Sequence, residues 1–227
     1  MKNYRKVLIL ICLFVLIPCC VFAYHTLFND TGSTFVAERR FDLPVDFRVD
    51  SGGDINIVED ACDEWNDVDN IEDLCGDLDL TDVDIDEDNY EDLVSGNDRI
   101  NDFIFDDTRL ILLDLGFAPG VVGVSLNTFV VSTGEILEST VILNTGAPQG
   151  QSFDPLSTTV HELGHSWGLA HVPIGGINTA FAFPSGLDPI SPSGIPTMFP
   201  FNIPTNDTLG RSLEFDDMSS LFFLYGD

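Results

Sequence analysis

Three of the chain's four histidines fall within eleven residues, in the segment HELGHSWGLAH at 161–171. His161 and His165 are four residues apart, so on a helix they share one face, one turn apart. Two imidazoles in this arrangement can bind one metal ion from the same side. The spacing therefore predicts a helix here whose histidine face is available to a metal ion, the alternative being an ordinary exposed polar face.

The residues around the histidines predict where this helix begins and ends. Asp154 and Pro155 suit its start, because Asp can act as the N-cap and Pro fits the first helical position. An apolar face follows at helical spacing, formed by Leu156, Val160, Leu163 and Trp167. Gly168 is expected to end the helix, since glycine adopts left-handed backbone at helix C-termini. The chain can then turn back and bring His171 to the metal as a third ligand.

Glu162 is predicted to carry the chemistry of the site. On a helix it lies about 100° round from His161, beside the metal and not on it. Three protein nitrogens and one open position are typical of a catalytic zinc site, whereas a structural site has four protein ligands. We therefore predict one Zn²⁺ on His161, His165 and His171, with Glu162 as the general base acting on zinc-bound water.

The full pattern H-E-x-x-H-x-x-G-x-x-H resembles the zinc motif of the metzincin metallopeptidases. Those enzymes carry a methionine in a tight turn beneath the metal, and Met198 in IPTMFPF is the corresponding residue. The surroundings resemble the matrixin branch, in its short, bacterial-type form, over about residues 41–227. Four further segments match in order, namely LPVDFRVD (43–50, first strand), ACDEWNDV (61–68, first helix), NDRINDFIF (97–105, second strand) and TGEILESTVILN (133–144, edge strand before the zinc helix).

At the end of the chain, LEFDDMSSLFFLYG (213–226) resembles the acidic pair and closing helix of matrixin catalytic domains. Asp216 and Asp217 either brace that helix against the core or form a simple acidic N-cap region. Met198 is expected to support the metal site without taking part in a chemical step. Residues 172–212 are rich in Pro, Gly and Ser and suit an irregular lower part.

Interleaved helix and strand signals predict an α/β domain, with strands near residues 45–49, 100–105, 121–131 and 136–143. The resemblance implies more: a twisted, mixed, five-stranded sheet with one antiparallel edge, an active-site helix and a C-terminal helix. The function it implies is a secreted zinc-dependent endopeptidase acting on proteins or peptides.

Substrate binding is predicted from the strand at 136–143, represented by Ile136, Leu137 and Val141. If this strand is a free edge beside the metal, its backbone can pair with an extended peptide. By resemblance, residues 199–211 wall a pocket beside the zinc helix, and Phe199, Phe201 and Ile203 would make it apolar. We therefore expect an apolar residue just after the cleaved bond, unless these side chains instead pack the lower core.

The first residues predict export. A basic start, the apolar run VLILICLFVLI and a cleavage site at VFA are typical of a signal peptide, assigned to residues 1–23. An uncleaved anchor, or a lipid on Cys19 or Cys20, is the alternative, which would place the protein in the periplasm or at the cell surface. A short N-terminal segment, 24–40, then precedes the domain at 41–227.

Cysteine use agrees with export. Outside the leader only Cys62 and Cys75 remain, and an even pair in an oxidising compartment indicates a disulfide. Two free buried thiols are the alternative.

The chain is strongly acidic, with 38 Asp and Glu against 9 Lys and Arg. This excludes a basic surface for nucleic acid or anionic lipid, so we expect no membrane contact beyond the leader or anchor, and a monomer. The densest stretch, 76–93, is interpreted as a solvated acidic insertion. Asp82, Asp84 and Asp86 alternate as in a calcium loop, but Glu87 and Leu93 stand where an EF-hand needs Gly and Glu.

Ca²⁺ held by some of these carboxylates remains open, because matrixins commonly carry structural calcium. The competing function is a secreted acidic module that binds calcium or zinc without catalysis. Glu162 argues against it, because a purely structural zinc site has no use for a general base.

Overall fold

The computed structural model describes residues 28–30, 35–82, 85–86, 88–94, 98–146, 154–171, 197–198 and 209–226. The leader and most of 172–212 lie outside these ranges. The elements run β1 (Phe28–Asp30), β2 (Phe35–Ala37), β3 (Val45–Val49), α1 (Ile55–Asn66), β4 (Cys75–Leu80), α2 (Glu91–Val94), β5 (Asn101–Phe105), α3 (Leu110–Asp114), β6 (Gly123–Phe129), β7 (Ile136–Leu143), α4 (Pro155–Ser166), a 3-10 helix (Leu209–Arg211) and α5 (Phe215–Tyr225).

The main sheet has five strands in the order β4-β3-β5-β7-β6. Its neighbours are parallel except for β6, which runs antiparallel to β7 along one edge. β1 and β2 form a separate antiparallel pair. The predicted α/β class and the mixed five-stranded sheet with one antiparallel edge are therefore confirmed.

Helices cover both faces of the sheet because side chains alternate along each strand. Phe103 and Phe105 on β5 face the larger core, which includes residues of α1, α4 and α5. Ile104 between them faces a smaller cluster with Ile111 and Leu112 of α3. The larger core is tied across its layers by Trp65, whose indole N–H donates to the carbonyl of Val160 at 2.9 Å. This packing fixes α4 against the sheet.

The prediction that Ile136, Leu137 and Val141 lie on an edge strand is wrong. β7 pairs with β5 on one side and with β6 on the other, so its backbone groups are already used. Val141 is fully buried. β7, the strand that precedes helix α4, is therefore interior, and the strand before it, β6, forms the edge.

The acidic stretch at 76–93 is not simply a solvated insertion. Cys75–Leu80 forms β4, which pairs in parallel with β3 at the other edge of the sheet. An edge strand tolerates the sequence CGDLDL because only one of its sides is paired and most of its side chains face water. The segment 97–105 consequently contributes the third strand of the main sheet along the chain, not the second.

The predicted disulfide is present: Cys62 at the end of α1 bonds Cys75 at the start of β4, with Cα atoms 5.6 Å apart. The segment before β3 also belongs to the fold. Arg39 pairs with Glu135 through its backbone, and Arg40 is buried. Arg39 and Arg40, just before the domain predicted at 41–227, therefore pack with the rest of the fold. Across the described ranges, none of the helices has the length and apolar character needed to span a membrane.

Candidate metal centre

Helix α4 has the boundaries that the sequence predicts. Asp154 is its N-cap residue, Pro155 its first residue, and Gly168 follows its end with a φ of 88°. The Asp154 carboxylate, however, makes no capping hydrogen bond. It instead forms a two-pronged ion pair with Arg211, at 2.7 and 3.0 Å, which ties the start of α4 to the 3-10 helix.

The three predicted ligands converge at the end of α4. The Nε2 atom of His171 lies 3.1 Å from Nε2 of His161 and 3.0 Å from Nε2 of His165. Their ligand atoms all lie within 4.8 Å of one another, and within the described ranges this is the group of three or more that can hold a metal ion. Gly168 allows the turn that brings His171 back to the helix.

Backbone carbonyls set the orientation of two of these rings. The Nδ1 atom of His161 lies 2.6 Å from the carbonyl oxygen of Thr197, and that of His165 lies 2.7 Å from the carbonyl oxygen of Leu169. A carbonyl can only accept, so each Nδ1 carries the proton and each Nε2 presents its lone pair. This second hydrogen bond is the usual arrangement of metal-binding histidines.

Burial keeps these rings neutral, as metal binding requires. Loss of solvent lowers the pKa of His161 to about 4 and that of His165 to about 3, and it also lowers the pKa of His171. All three are therefore unprotonated at pH 7. His161 and His165 should therefore stay neutral in mild acid, below the ordinary histidine pKa.

Glu162 lies beside the histidine cluster and outside it. Its side chain is 5% exposed, and burial raises the pKa of its carboxyl to about 8. Gly123 on β6 packs directly against it: a β-carbon at residue 123 would lie 2.8 Å from Cγ and 2.9 Å from Oε1 of Glu162. A buried carboxyl group thus faces the edge strand next to the three histidines.

Met198 packs against helix α4 at Gly164. It is buried, and its sulfur contacts Gly164 between the two histidines of α4. The neighbouring Thr197 donates its backbone N–H to Asp217 on α5 at 2.9 Å. Asp217 also accepts from the N–H of Met198 at 3.2 Å and that of Glu214 at 2.9 Å. It therefore braces α5 and also holds the turn that orients His161.

Some predicted site residues fall elsewhere. Phe199, Phe201 and Ile203 lie outside the described residues, as does Asp84 of the acidic stretch. A cavity of about 540 Å³ is lined by Arg40, Arg48 and Arg99 but by none of the three histidines or Glu162. It is therefore separate from the metal centre.

Three groups that contact the site are not predicted by the sequence: Gly123, Asn127 and the carbonyl of Thr197. Asn127 on β6 donates its amide N–H to the carbonyl of His165 at 2.8 Å. These contacts join residues 36 to 39 positions apart along the chain, at Thr197–His161, Asn127–His165 and Gly123–Glu162. A local sequence pattern has no signal for such pairs.

The donor set is compatible with zinc. Three imidazole nitrogens on a tetrahedral zinc ion lie roughly 3.3 Å apart, given Zn–N distances of about 2.0–2.1 Å, and the observed separations are 3.0 and 3.1 Å. The candidate site thus combines three imidazole nitrogens that are close enough to hold a metal ion with a nearby buried carboxyl group. No protein-family model matches this chain, and neither does any curated protein.

Proposed function

We propose that this protein is a secreted, zinc-dependent endopeptidase of the metzincin type, similar to short matrixins. The observation that carries the proposal is the convergence of three histidine Nε2 atoms beside a buried glutamate outside the ligand set. A purely structural zinc site would close with a fourth protein ligand. Here the neighbouring carboxylate is left available for proton transfer.

The residues have separate roles in this proposal. His161, His165 and His171 would hold the zinc, which when bound supplies Lewis acidity that acidifies water and stabilises developing negative charge. Glu162 accepts the proton of the attacking water at its carboxylate and passes it to the leaving nitrogen. The positive charge of the cation would bring the pKa of Glu162 down from its metal-free value, toward the working range of a general base.

An extended peptide is the proposed substrate. β6 pairs with β7 alone among the described strands, so its outer edge offers backbone groups for an added strand. Gly123 on this strand touches Glu162. A peptide paired with β6 would therefore pass close to the general base.

Export is supported by the Cys62–Cys75 disulfide, which is typical of oxidising compartments. Whether calcium also binds stays a separate proposal. It concerns the acidic stretch and not the histidine cluster.

The test is peptide-library cleavage by zinc-loaded protein, comparing the natural chain with Glu162→Gln. The variant should bind zinc normally and lose about 10²-fold or more in rate. Glu64→Gln on α1, another glutamate whose pKa is raised by burial, is the matched control and should keep its activity. Full zinc loading with no cleavage by the natural chain would favour the metal-binding module instead.

A further inference from the structure

The C-terminal end of α4 is held from outside the helix. The last four carbonyls of an α-helix have no partner within it. Gly168 and Leu169 satisfy two of them in a Schellman turn, donating to the carbonyls of His165 and Gly164 at 2.9 and 3.0 Å. The carbonyls of Ser166 and Trp167 lie beyond the reach of that turn.

Three side chains from three other elements donate to this helix end. Asn127 on β6 donates to the carbonyl of His165 at 2.8 Å. Arg40, before β3, donates through Nε to the carbonyl of Ser166 at 3.2 Å. Tyr225 on α5 donates its hydroxyl proton to the carbonyl of Trp167 at 2.8 Å. Tertiary contacts therefore complete the helix end.

The three donors are also connected by further hydrogen bonds, in part through Ser139. Arg40 donates through Nη2 to the hydroxyl of Ser139 at 2.5 Å, and that hydroxyl donates to Oδ1 of Asn127 at 2.5 Å. This leaves the amide nitrogen of Asn127 facing His165. The backbone N–H of Arg40 donates to the hydroxyl of Tyr225 at 2.9 Å. A buried network connected in this way is disturbed as a unit.

The turn that these residues hold lies between two metal ligands. Leu169 accepts the Nδ1–H of His165, and His171 follows two residues later. A shift of the helix end would therefore reorient His165 and displace His171 together. The positive charge of Arg40 also complements the partial negative charge of the helix C-terminus.

We infer that Arg40, Asn127 and Tyr225 are positioning residues of the metal centre, which fix the turn joining His165 to His171. The inference rests on the proposed function only in taking the three histidines as metal ligands. Residues that orient metal ligands commonly contribute 10- to 100-fold, in rough terms, to metal affinity. A merely structural role would lower stability and leave affinity unchanged.

Cobalt(II) binding to the full chain tests this, measured by competition with a chelator and by the visible spectrum, which reports the coordination geometry. Tyr225→Phe removes one hydroxyl. Asn127→Asp keeps the shape but sets an acceptor against the His165 carbonyl. Both should weaken cobalt binding about 10-fold or more and change the spectrum.

Matched controls lose similar bonds away from the helix end. Tyr90→Phe removes a hydroxyl bonded to Asp114, and Asn144→Asp removes an amide donor to the carbonyl of Val121 at 2.8 Å. Both controls should keep wild-type cobalt affinity even where they are less stable. Equal losses in controls and test variants would overturn the inference.

Wild-type affinity and spectrum in Tyr225→Phe would also overturn it, and this variant is mild enough to fold if Asn127→Asp does not. The proposed function is separable in the same samples. One outcome would contradict the peptidase and still support the positioning role. In that outcome the natural chain binds cobalt tightly but cleaves no peptide, and the variants lose cobalt affinity as expected. A natural chain that binds no cobalt would overturn both.

Discussion

Gly164 and Met198 are in direct contact: a β-carbon at residue 164 would overlap the sulfur of Met198 and lie 3.0 Å from Cζ2 of Trp65. Alanine is ordinarily the better helix former by about 1 kcal/mol. Here the collision should reverse that preference, and we expect Gly164→Ala to cost roughly 1–3 kcal/mol in free energy of unfolding. Urea unfolding of the metal-free protein measures it.

Gly120→Ala is the control for this prediction, since nothing lies within 4 Å of a β-carbon there. Its effect should stay within about 0.5 kcal/mol. Coupling to Met198 can be measured directly: in a Met198→Ala background the cost of Gly164→Ala should shrink. A stabilising Gly164→Ala would show that the methionine is not packed as described.

Asp217 should be far more sensitive than its neighbour Asp216. The buried Asp217 carboxylate accepts three backbone N–H groups, from Thr197, Met198 and Glu214. Asp217→Asn leaves one oxygen and turns an amide toward N–H groups that can no longer be satisfied. We expect a loss of about 1–3 kcal/mol, read from thermal or urea unfolding.

Asp216→Asn is the matched control one residue earlier, and it should change stability by less than about 0.5 kcal/mol. Similar effects for the two variants would support the simpler interpretation of an acidic N-cap region. They would also contradict the role of Asp217 in holding the turn at Thr197 against α5.

The sequence predicted what local patterns determine. Helix α4 follows from apolar spacing, Pro155 and Gly168, and the histidine cluster follows from that helix. The position of β7 could not be predicted in this way, because it depends on pairing with β5 and β6. Apart from Glu138 and Ser139, β7 consists of apolar and β-branched residues, which suits an interior strand, whereas the resemblance to matrixins predicts an edge.

For β4 the prediction from sequence was wrong in the opposite direction, because a strand was not expected there. The segment CGDLDL is polar enough to suggest a loop, and its pairing with β3 emerges only in the folded sheet. The contacts of Arg40 and Asn127 with the end of α4 are likewise tertiary. Residue type alone gives no indication of which carbonyl such a side chain will reach.

Glu162 should make the metal-free protein less stable as pH rises. Burial raises its folded-state pKa to about 8, against an ordinary value of 4.5. Between these values the folded state binds more protons than the unfolded state, so this contribution is lost as pH increases through about 8. The glutamine of Glu162→Gln cannot ionise, so the variant does not lose this stability as pH rises.

We therefore expect metal-free Glu162→Gln to gain stability relative to the natural chain between pH 5 and pH 9. The gain should be on the order of 2–3 kcal/mol, since one pKa unit corresponds to about 1.4 kcal/mol and a relaxing site does not retain the full shift. Histidine terms are common to both proteins and cancel in the difference. A difference that does not change with pH would mean that the carboxylate is solvated.

Gly123→Ala should impair turnover through Glu162. The added β-carbon would lie 2.8 Å from Cγ and 2.9 Å from Oε1 of Glu162, and 2.9 Å from Cγ2 of Thr158. Cγ2 of Thr158 belongs to α4, which is fixed by the core, so the glutamate side chain is expected to yield. Since a misplacement of about 1 Å can cost around 10²-fold in rate, we expect kcat to fall about 10- to 100-fold. Zinc affinity should be retained, because the three atoms nearest to that β-carbon belong to Glu162 and Thr158.

Peptide cleavage at saturating substrate, together with zinc titration, measures both effects. Gly120→Ala, three residues earlier and in open space, is the control and should behave as the natural chain. Gly123 begins β6, and alanine loses less conformational freedom there on folding than glycine does. A fall in kcat without a fall in stability would therefore locate the effect at Glu162. An unchanged kcat would show that the glutamate can perform proton transfer from more than one position, and that its packing against β6 is not needed for catalysis.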